Sequence, residues 1–375
     1  MFLLSFCLKL NSQQFIKVGL FNSSKIDLIE IKSNEEQIFI NADNTSFTLP
    51  VNSVLRIAVQ MDKIYLSSES LNFGLFNKVK IEISDKSGIM LKPLSPDYKG
   101  NTYTEKLLIG TKKNYLSIIN LLSIENYIVG VLRGEIGYDK PLNSYLVMAI
   151  LAQTFAESYL SKHKNEGFNL CDQTHCQVFK GYFNYIPYQW AANLAKGKYI
   201  LDANGNTIES LFHSNCGGKT QNSGDVWRNN LTYCKSINDS FCLNQKNSKW
   251  TKSFSIFDFC LKLNIPYDIN QTPNLDFCNN IQLKNDAREK EIFIYNKKIN
   301  TIYARTQLNL KSDWFDITCE GDSVLFYGKG FGHGVGLCQE GAIEMAQQGC
   351  NEEEIIHFYF DKVEIHERKN FQLNN

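Results

Sequence analysis

A chain of 375 residues with 39 Lys and Arg against 39 Asp and Glu gives no electrostatic case for binding nucleic acid or an anionic membrane surface. The length allows one large domain or two modest ones, each with ample core. No stretch reaches about eighteen consecutive apolar residues, so no membrane-spanning helix is expected. Eleven cysteines are an odd number, leaving at least one unpaired in a monomer. Only Cys171 and Cys176, and Cys234 and Cys242, form close pairs, and the rest read as small buried apolar side chains.

Met1–Leu10 is apolar, short and without a basic start, which fits either the stump of a secretion signal or an ordinary buried strand. Phe6 before Cys7 argues against lipid attachment, and the reading leans slightly towards export. Strands are predicted over Phe15–Phe21, Lys25–Ile31, Gln37–Ile40, Val54–Val59 and Val79–Ile83, which alternate and are rich in branched residues. Asn, Asp, Ser and Gly punctuate them. Strands continue through Leu107–Ile109 and Tyr115–Ile119. No cluster of reactive side chains falls in this part.

The texture then changes. Ser123–Leu132 carries helical spacing through Ile124, Tyr127, Ile128 and Val131, and runs into a predicted loop, Arg133–Gly137. Pro141 opens a long helix from Leu142 to about Lys162, with Leu142, Tyr145, Leu146, Ala149, Ala152, Phe155, Ala156 and Tyr159 on one stripe. Glu135 sits in the loop beside Val129, Val131, Leu132 and Ile136. A carboxyl in such surroundings tends to hold its proton, which suits a general acid, although a solvated loop carboxylate is the plainer reading.

Cys171-Asp-Gln-Thr-His-Cys176 offers two thiolates and an imidazole, the donors zinc prefers. The spacing is wider than a zinc knuckle, and no second cysteine pair follows at finger distance. Three readings stay open: a three-ligand site of Cys171, His175 and Cys176 with an open position, a short disulfide loop, or two buried thiols. His163 is an alternative ligand.

Ile208–Gly218 reads as a strand ending in a glycine turn, with Asp225-Val-Trp227 shortly after. His213 and Ser214, beside Gly217, Gly218 and the Trp227 indole, suit a carbohydrate, which wants hydrogen bonds at its rim and an aromatic face. Between Gly328 and Gly341, five glycines (Gly328, Gly330, Gly332, Gly334, Gly336) occupy alternate positions around His333, with Gln339 beyond and a helical pattern over residues 342–348. No register gives G-x-G-x-x-G/A and no Gly-Lys-Ser/Thr follows, so no nucleotide is expected. One imidazole and one amide in a side-chain-poor bend read as an open groove wall. The alternative is a glycine turn that only packs.

In this order, ENYIVGVLRGEIG, KPLNSYLVMAILAQTFA, CDQTHCQVFKGY, LFHSNCGGKTQNSGDVW and GKGFGHGVGLCQEGAIEMAQQGC resemble the SpoIID/LytB family, whose members are the stage II sporulation protein D and the amidase enhancers. The resemblance runs from about Leu107 to Ile365. It implies a lytic transglycosylase that cuts the β-1,4 bond between N-acetylmuramic acid and N-acetylglucosamine in peptidoglycan strands stripped of stem peptides. Glu135 falls on the family's catalytic glutamate. Cys171 and Cys176, with His175 as third candidate, fall where some members hold zinc. His213, Ser214, Asp225 and His333 fall on groove positions, and Gly217, Gly218, Trp227 and Gln339 complete the expected substrate-binding set.

A glycosidase acting through water needs two carboxylates. Only one well-placed acid is visible, which suits a transglycosylase. The second reading is a non-catalytic glycan binder that recruits or stimulates an N-acetylmuramoyl-L-alanine amidase. Either way the expected partner is a glycan strand and the expected place is the cell envelope, outside the cytoplasm.

The chain departs from the family's pattern at Leu146 and Met148, and where Gln153-Thr154-Phe155 replaces Arg-Thr-Tyr. Glu340 stands where an aromatic residue is common. The expected fold class is α+β: a possible signal remnant or strand over 1–11, a β-rich accessory layer over 12–105, a mixed catalytic domain over 106–366 with one long core helix and a glycine-rich groove, and a tail over 367–375.

Overall fold

The computed structural model describes residues 15–32, 37–83, 87–266, 277–278, 281, 283–284, 287–294 and 297–368. The expected signal remnant, Cys7 and all but the first two residues of the tail lie outside the described residues. The protein is α+β, with 24% of residues in helices and 37% in strands. It divides into two compact units. One comprises residues 1–139, 148–199 and 366–375, and the other residues 140–147 and 200–365.

The first unit holds two large sheets. In one, the strand order is Leu170–Cys171, Phe15–Leu20, Tyr115–Ser123, Glu105–Lys112, Val79–Ile83, Ile38–Ala42 and Thr45–Leu49. The other runs Asn101–Tyr103, Ile89–Ser95, Leu28–Lys32, Val54–Gln60, Lys63–Ser68 and Asn72–Phe76. Strict alternation of buried and half-exposed positions, clearest along Tyr115–Ser123, is what a strand with one apolar face requires. Ile29, Ile31, Leu55, Ile57, Ile64 and Leu66 are fully buried on the second sheet.

Helix α1 (Ile124–Glu135) follows Tyr115–Ser123 without a loop. Its start is fixed by Glu105, a buried carboxylate that accepts from the Ser123 N–H (2.8 Å), the Ser123 hydroxyl (2.6 Å) and Asn126 Nδ2 (2.7 Å). An anion bonded to amides at a helix N-terminus is favourable. Helix α2 (Leu142–Ser158) is buried at every residue from 144 to 156, so it is a core helix wrapped on all sides, beyond the single stripe expected. Helix α3 (Ile186–Ala195) starts with Pro187 in its first turn and packs on α1.

In the second unit, Lys249–Ser255, Ser323–Lys329 and Phe315–Glu320 form a three-stranded antiparallel sheet with the second of these in the middle. Helices α4 (Ser223–Val226), α5 (Ile256–Leu263), α6 (Thr301–Gln307), α7 (Gln339–Gln347) and α8 (Glu352–Tyr359) complete it. Phe259, Phe277, Phe315 and Phe326 anchor a core that a Cys278–Cys319 disulfide borders. A short parallel pairing of Phe212–His213 with Leu337–Cys338 brings the two glycine turns together.

Candidate functional site

Glu135 is the last residue of α1, not part of a loop. The glycines that suggested a flexible loop serve close packing instead. A Cβ on Gly134 would lie 1.9 Å from the Val178 carbonyl oxygen, and one on Gly130 would lie 2.2 Å from the Phe179 ring. Only glycine lets the 178–181 segment lie directly on the helix. The chain leaves the helix at Gly137, whose φ is +73°. That close approach places the Val178 N–H 2.6 Å from Glu135 Oε1. Burial pushes the Glu135 carboxyl above its ordinary range, against the opposing pull of the Val178 amide and Lys180. Such a carboxyl is a proton donor at a pH where an exposed glutamate would be spent.

The segment that holds Glu135 begins at a cluster of metal-ligand side chains. Cys171, Cys176, His175 and His163 bring their donor atoms within 4.8 Å of one another. Cys176 Sγ lies 3.4 Å from His163 Nε2 and 3.9 Å from His175 Nδ1, while Cys171 Sγ lies 3.8 Å from His175 Nδ1. Cys171 is placed by its pairing with Gly19 at the sheet edge. His163 stacks on Phe168 with ring centroids 4.8 Å apart. Its Nδ1 meets Glu166 Oε1 at 2.5 Å, which aims Nε2 at the thiols, as carboxylate partners orient metal-bound imidazoles. The donors suit zinc. They number four, with His163 beside the expected Cys171, His175 and Cys176.

Residues 112–203 match the SpoIID family, stage II sporulation protein. This match and the relatives it accompanies support assignment to the SpoIID/LytB family. It is 28% identical over 269 residues to stage II sporulation protein D of Bacillus amyloliquefaciens, covering 67% of this chain and 76% of that one. Identity to an uncharacterized protein of Brachyspira hyodysenteriae is 29% over 276 residues, 71% of this chain and 73% of the relative. The amidase enhancer of Bacillus subtilis is 26% identical over 279 residues, 61% of this chain but 39% of that longer protein.

The second unit gathers the remaining expected residues. The His213 and His333 rings lie 5.6 Å apart between centroids, and the Trp227 ring lies 4.9 Å from His333. His213 is 4% exposed. Its Nδ1 meets the Val335 carbonyl at 3.1 Å, while Nε2 is buried without a partner. His333 accepts the Val335 N–H at Nδ1, 3.1 Å away. Neither imidazole stands free of its neighbours, as an open wall would have it. Trp227 is the most exposed of the three at 42%, while His333 is half-buried. The glycines again mark close packing: a Cβ on Gly332 would lie 2.7 Å from the His213 Cβ, and one on Gly336 would lie 2.2 Å from the Leu211 carbonyl.

Ser214 bonds to Asn247 Nδ2 at 3.3 Å through its hydroxyl and to the Glu340 N–H at 3.0 Å through its carbonyl. Gly217 and Gly218 both have positive φ, and Gln339 begins α7. Asp225 pairs with Lys290 at 2.8 Å, which with Asn222 holds its carboxyl below the ordinary range. It lines a cavity of about 510 Å³ with Gln221, Arg288, Asp313 and Trp314.

The family departures prove structural. Leu146 and Met148 are buried. Gln153 Nε2 donates to the Ala195 carbonyl (3.0 Å) and the Lys198 carbonyl (2.8 Å), satisfying the end of α3. Glu340 accepts from Asn215 Nδ2 (2.7 Å) and Asn247 Nδ2 (2.6 Å), knitting two turns. Sequence reasoning missed the Val178 amide and Tyr127, whose hydroxyl donates to Gln177 Oε1 at 2.8 Å. It also missed a second group of clustered donors, Cys216, Asp239, Cys242 and Cys338. The available signal was that Cys216 and Cys338 each sit inside a histidine- or glutamine-bearing glycine motif.

Proposed function

We propose that the protein is a peptidoglycan lytic transglycosylase with Glu135 as its single acid and base. The observation that carries this is one carboxyl, at the family's glutamate position, whose pKa burial raises and whose Oε1 accepts from the Val178 amide. Glu135 gives its proton to the glycosidic oxygen as the bond from the muramic acid C1 breaks. The sugar's own 6-hydroxyl then bonds to C1 and returns its proton to Glu135, closing a 1,6-anhydro ring. No water is consumed, which removes the need for a second carboxylate, and the tethered hydroxyl supplies proximity. Zinc on His163, Cys171, His175 and Cys176 would cross-link the segment that ends in Val178, and so would set the position of Glu135 without touching substrate. The exposed Trp227 face beside His333 supplies a stacking surface for a sugar ring. Such work places the protein in the cell envelope. No described helix is long and apolar enough to cross a membrane.

A second reading has its own support: similarity to an amidase enhancer, together with apolar Leu146 and Met148 and a Gln153 committed to α3. There the protein binds glycan strands and stimulates an amidase without cutting. Incubation with denuded and intact strands, followed by mass spectrometry, separates the two. Anhydro-muramic ends that vanish in Glu135→Gln support the enzyme. Their absence with wild-type protein, alongside faster release of stem peptides by an added amidase, supports the binder.

A further inference from the structure

The second unit buries three thiols and a carboxylate around one point. Cys216 Sγ lies 3.3 Å from Cys242 Sγ and 3.2 Å from Asp239 Oδ2. Cys338 Sγ completes a set whose four donor atoms all fall within 4.8 Å of one another, and all four residues are fully buried. They arrive from three separate segments: the turn after His213, the turn at 239–242, and the residue that precedes α7. A tetrahedral ion with bonds of about 2.3 Å to sulfur wants sulfurs about 3.8 Å apart; the Cys216–Cys242 pair lies 3.3 Å apart, and no two donors are separated by more than 4.8 Å.

The carboxylate makes a thiol-only explanation insufficient. Asp239 forms no ion pair with a lysine or arginine among the described residues. Its partners are all neutral groups: the Tyr359 hydroxyl (3.0 Å) and the Cys216 thiol on Oδ2, the amides of Phe241 (3.0 Å) and Cys242 (3.3 Å) on Oδ1, and the Cys338 thiol. A fully buried carboxylate ordinarily needs a countercharge. Three soft sulfurs facing it define which cation that would be.

We propose that Cys216, Asp239, Cys242 and Cys338 hold a zinc ion, distinct from the one assigned to the first unit. The three thiols lose their protons to solvent as the metal binds. The Cys216 N–H, 3.3 Å from Cys338 Sγ, and the Tyr359 hydroxyl on Asp239 are the outer donors that steady such a ligand set. All four positions are filled by protein, so the ion is structural. Its place in the chain gives it a purpose. Cys216 is three residues after His213, and Cys338 is three residues after Val335, the residue to which both histidines are bonded. The ion therefore ties together, from behind, the two turns that carry the histidine pair. This inference does not depend on whether the protein cuts glycan.

The test is elemental analysis of full-length protein purified without added metal. Two zinc ions per chain are expected. Cys171→Ser/Cys176→Ser should keep one, and Cys338→Ser should keep one, with the two losses independent. Circular dichroism checks that each variant is folded. Should Cys338→Ser fail to fold, the wild type still decides: Cys216, Cys242 and Cys338 should resist alkylation until a chelator is added, then all react. Cobalt loaded into Cys171→Ser/Cys176→Ser should show intense thiolate charge-transfer absorption. One zinc per chain that disappears with Cys171 and Cys176 overturns the proposal. So does a Cys216–Cys242 disulfide found by peptide mapping under non-reducing conditions.

Discussion

His213 and His333 are tied to the two sides of one peptide residue. The Val335 carbonyl accepts from His213 Nδ1, and the Val335 N–H donates to His333 Nδ1, each at 3.1 Å. A carbonyl only accepts, so His213 carries its proton on Nδ1; an amide only donates, so His333 is bare there. Both rings are held neutral. Burial first, then the charge of Arg305, brings His333 down to about 4, and burial also depresses His213.

Replacing His213 by alanine should therefore cost stability, about 1–3 kcal/mol for the orphaned Val335 carbonyl and the space left behind. Trp227→Ala should leave stability nearly unchanged and weaken glycan binding by more than about 1 kcal/mol. Denaturant melts and binding to immobilised denuded strands check both. An H213A variant as stable as wild type would show that the Val335 bond contributes nothing.

The depressed His333 also sets a pH window. Its neutral form belongs to the fold, so its contribution is complete above the ordinary 6.5 and is lost as pH falls towards about 4. Wild-type melting temperature should decline across that interval, and His333→Gln should flatten the decline. An unchanged slope in the variant counts against the assignment.

The sheets were legible wherever alternation was clean. Val79–Ile83 is a strand over the residues the pattern marks. Ile89–Ser95 was hidden by Pro93, which an internal strand normally forbids; here its own strand bulges at Leu94, since Leu28 and Ile29 pair with Ser95 and Pro93. Asn72–Phe76 pairs along only one side and carries no apolar alternation. Around Glu135 the residue was visible but its setting was not. Gly130 and Gly134 look like flexibility in a sequence, and only the path of Val178 and Phe179 turns them into contact points. The cysteines fail for a similar reason. Cys171 and Cys176 announce themselves by proximity, whereas Cys216 and Cys338, 122 residues apart in sequence, meet because Phe212–His213 pairs alongside Leu337–Cys338.

Gly134→Ala tests that contact. The added methyl would have to enter the Val178 carbonyl, so the 176–179 segment must move and take the Val178 N–H away from Glu135. The expected cost is about 1–3 kcal/mol or somewhat more, with a loss of glycan cleavage larger than the stability loss explains. Gly137→Ala is the comparison, since no heavy atom lies within 4 Å of its would-be Cβ; only its positive φ is strained.

The zinc proposed for the first unit predicts a graded effect. Cys171→Ser/Cys176→Ser should lose one equivalent of metal. Glu166→Gln, which keeps every ligand but alters the partner of His163, should lower zinc affinity about 10–100-fold. Competition with a chromogenic chelator measures it. Equal affinity in Glu166→Gln would mean that His163 does not ligate through Nε2.

Glu135→Gln separates catalysis from folding by sign. Glu135 has its folded carboxyl pKa raised above the ordinary 4.5 by burial. The protonated form therefore belongs to the fold, and its contribution is complete below 4.5 and is lost as pH rises through the raised value. Glutamine keeps an oxygen for the Val178 N–H and never ionises. The variant should match wild type in acid and be the more stable protein at neutral pH, while producing no anhydro-muramic ends at any pH. Melting curves at several pH values, run beside product analysis, read both halves. Glu135→Asp is the control: it retains an acid but withdraws it from Val178, so cleavage should fall sharply without a gain in stability. A Gln variant less stable than wild type at neutral pH would mean that Glu135 is held as a carboxylate, and the single-acid mechanism would lose its proton.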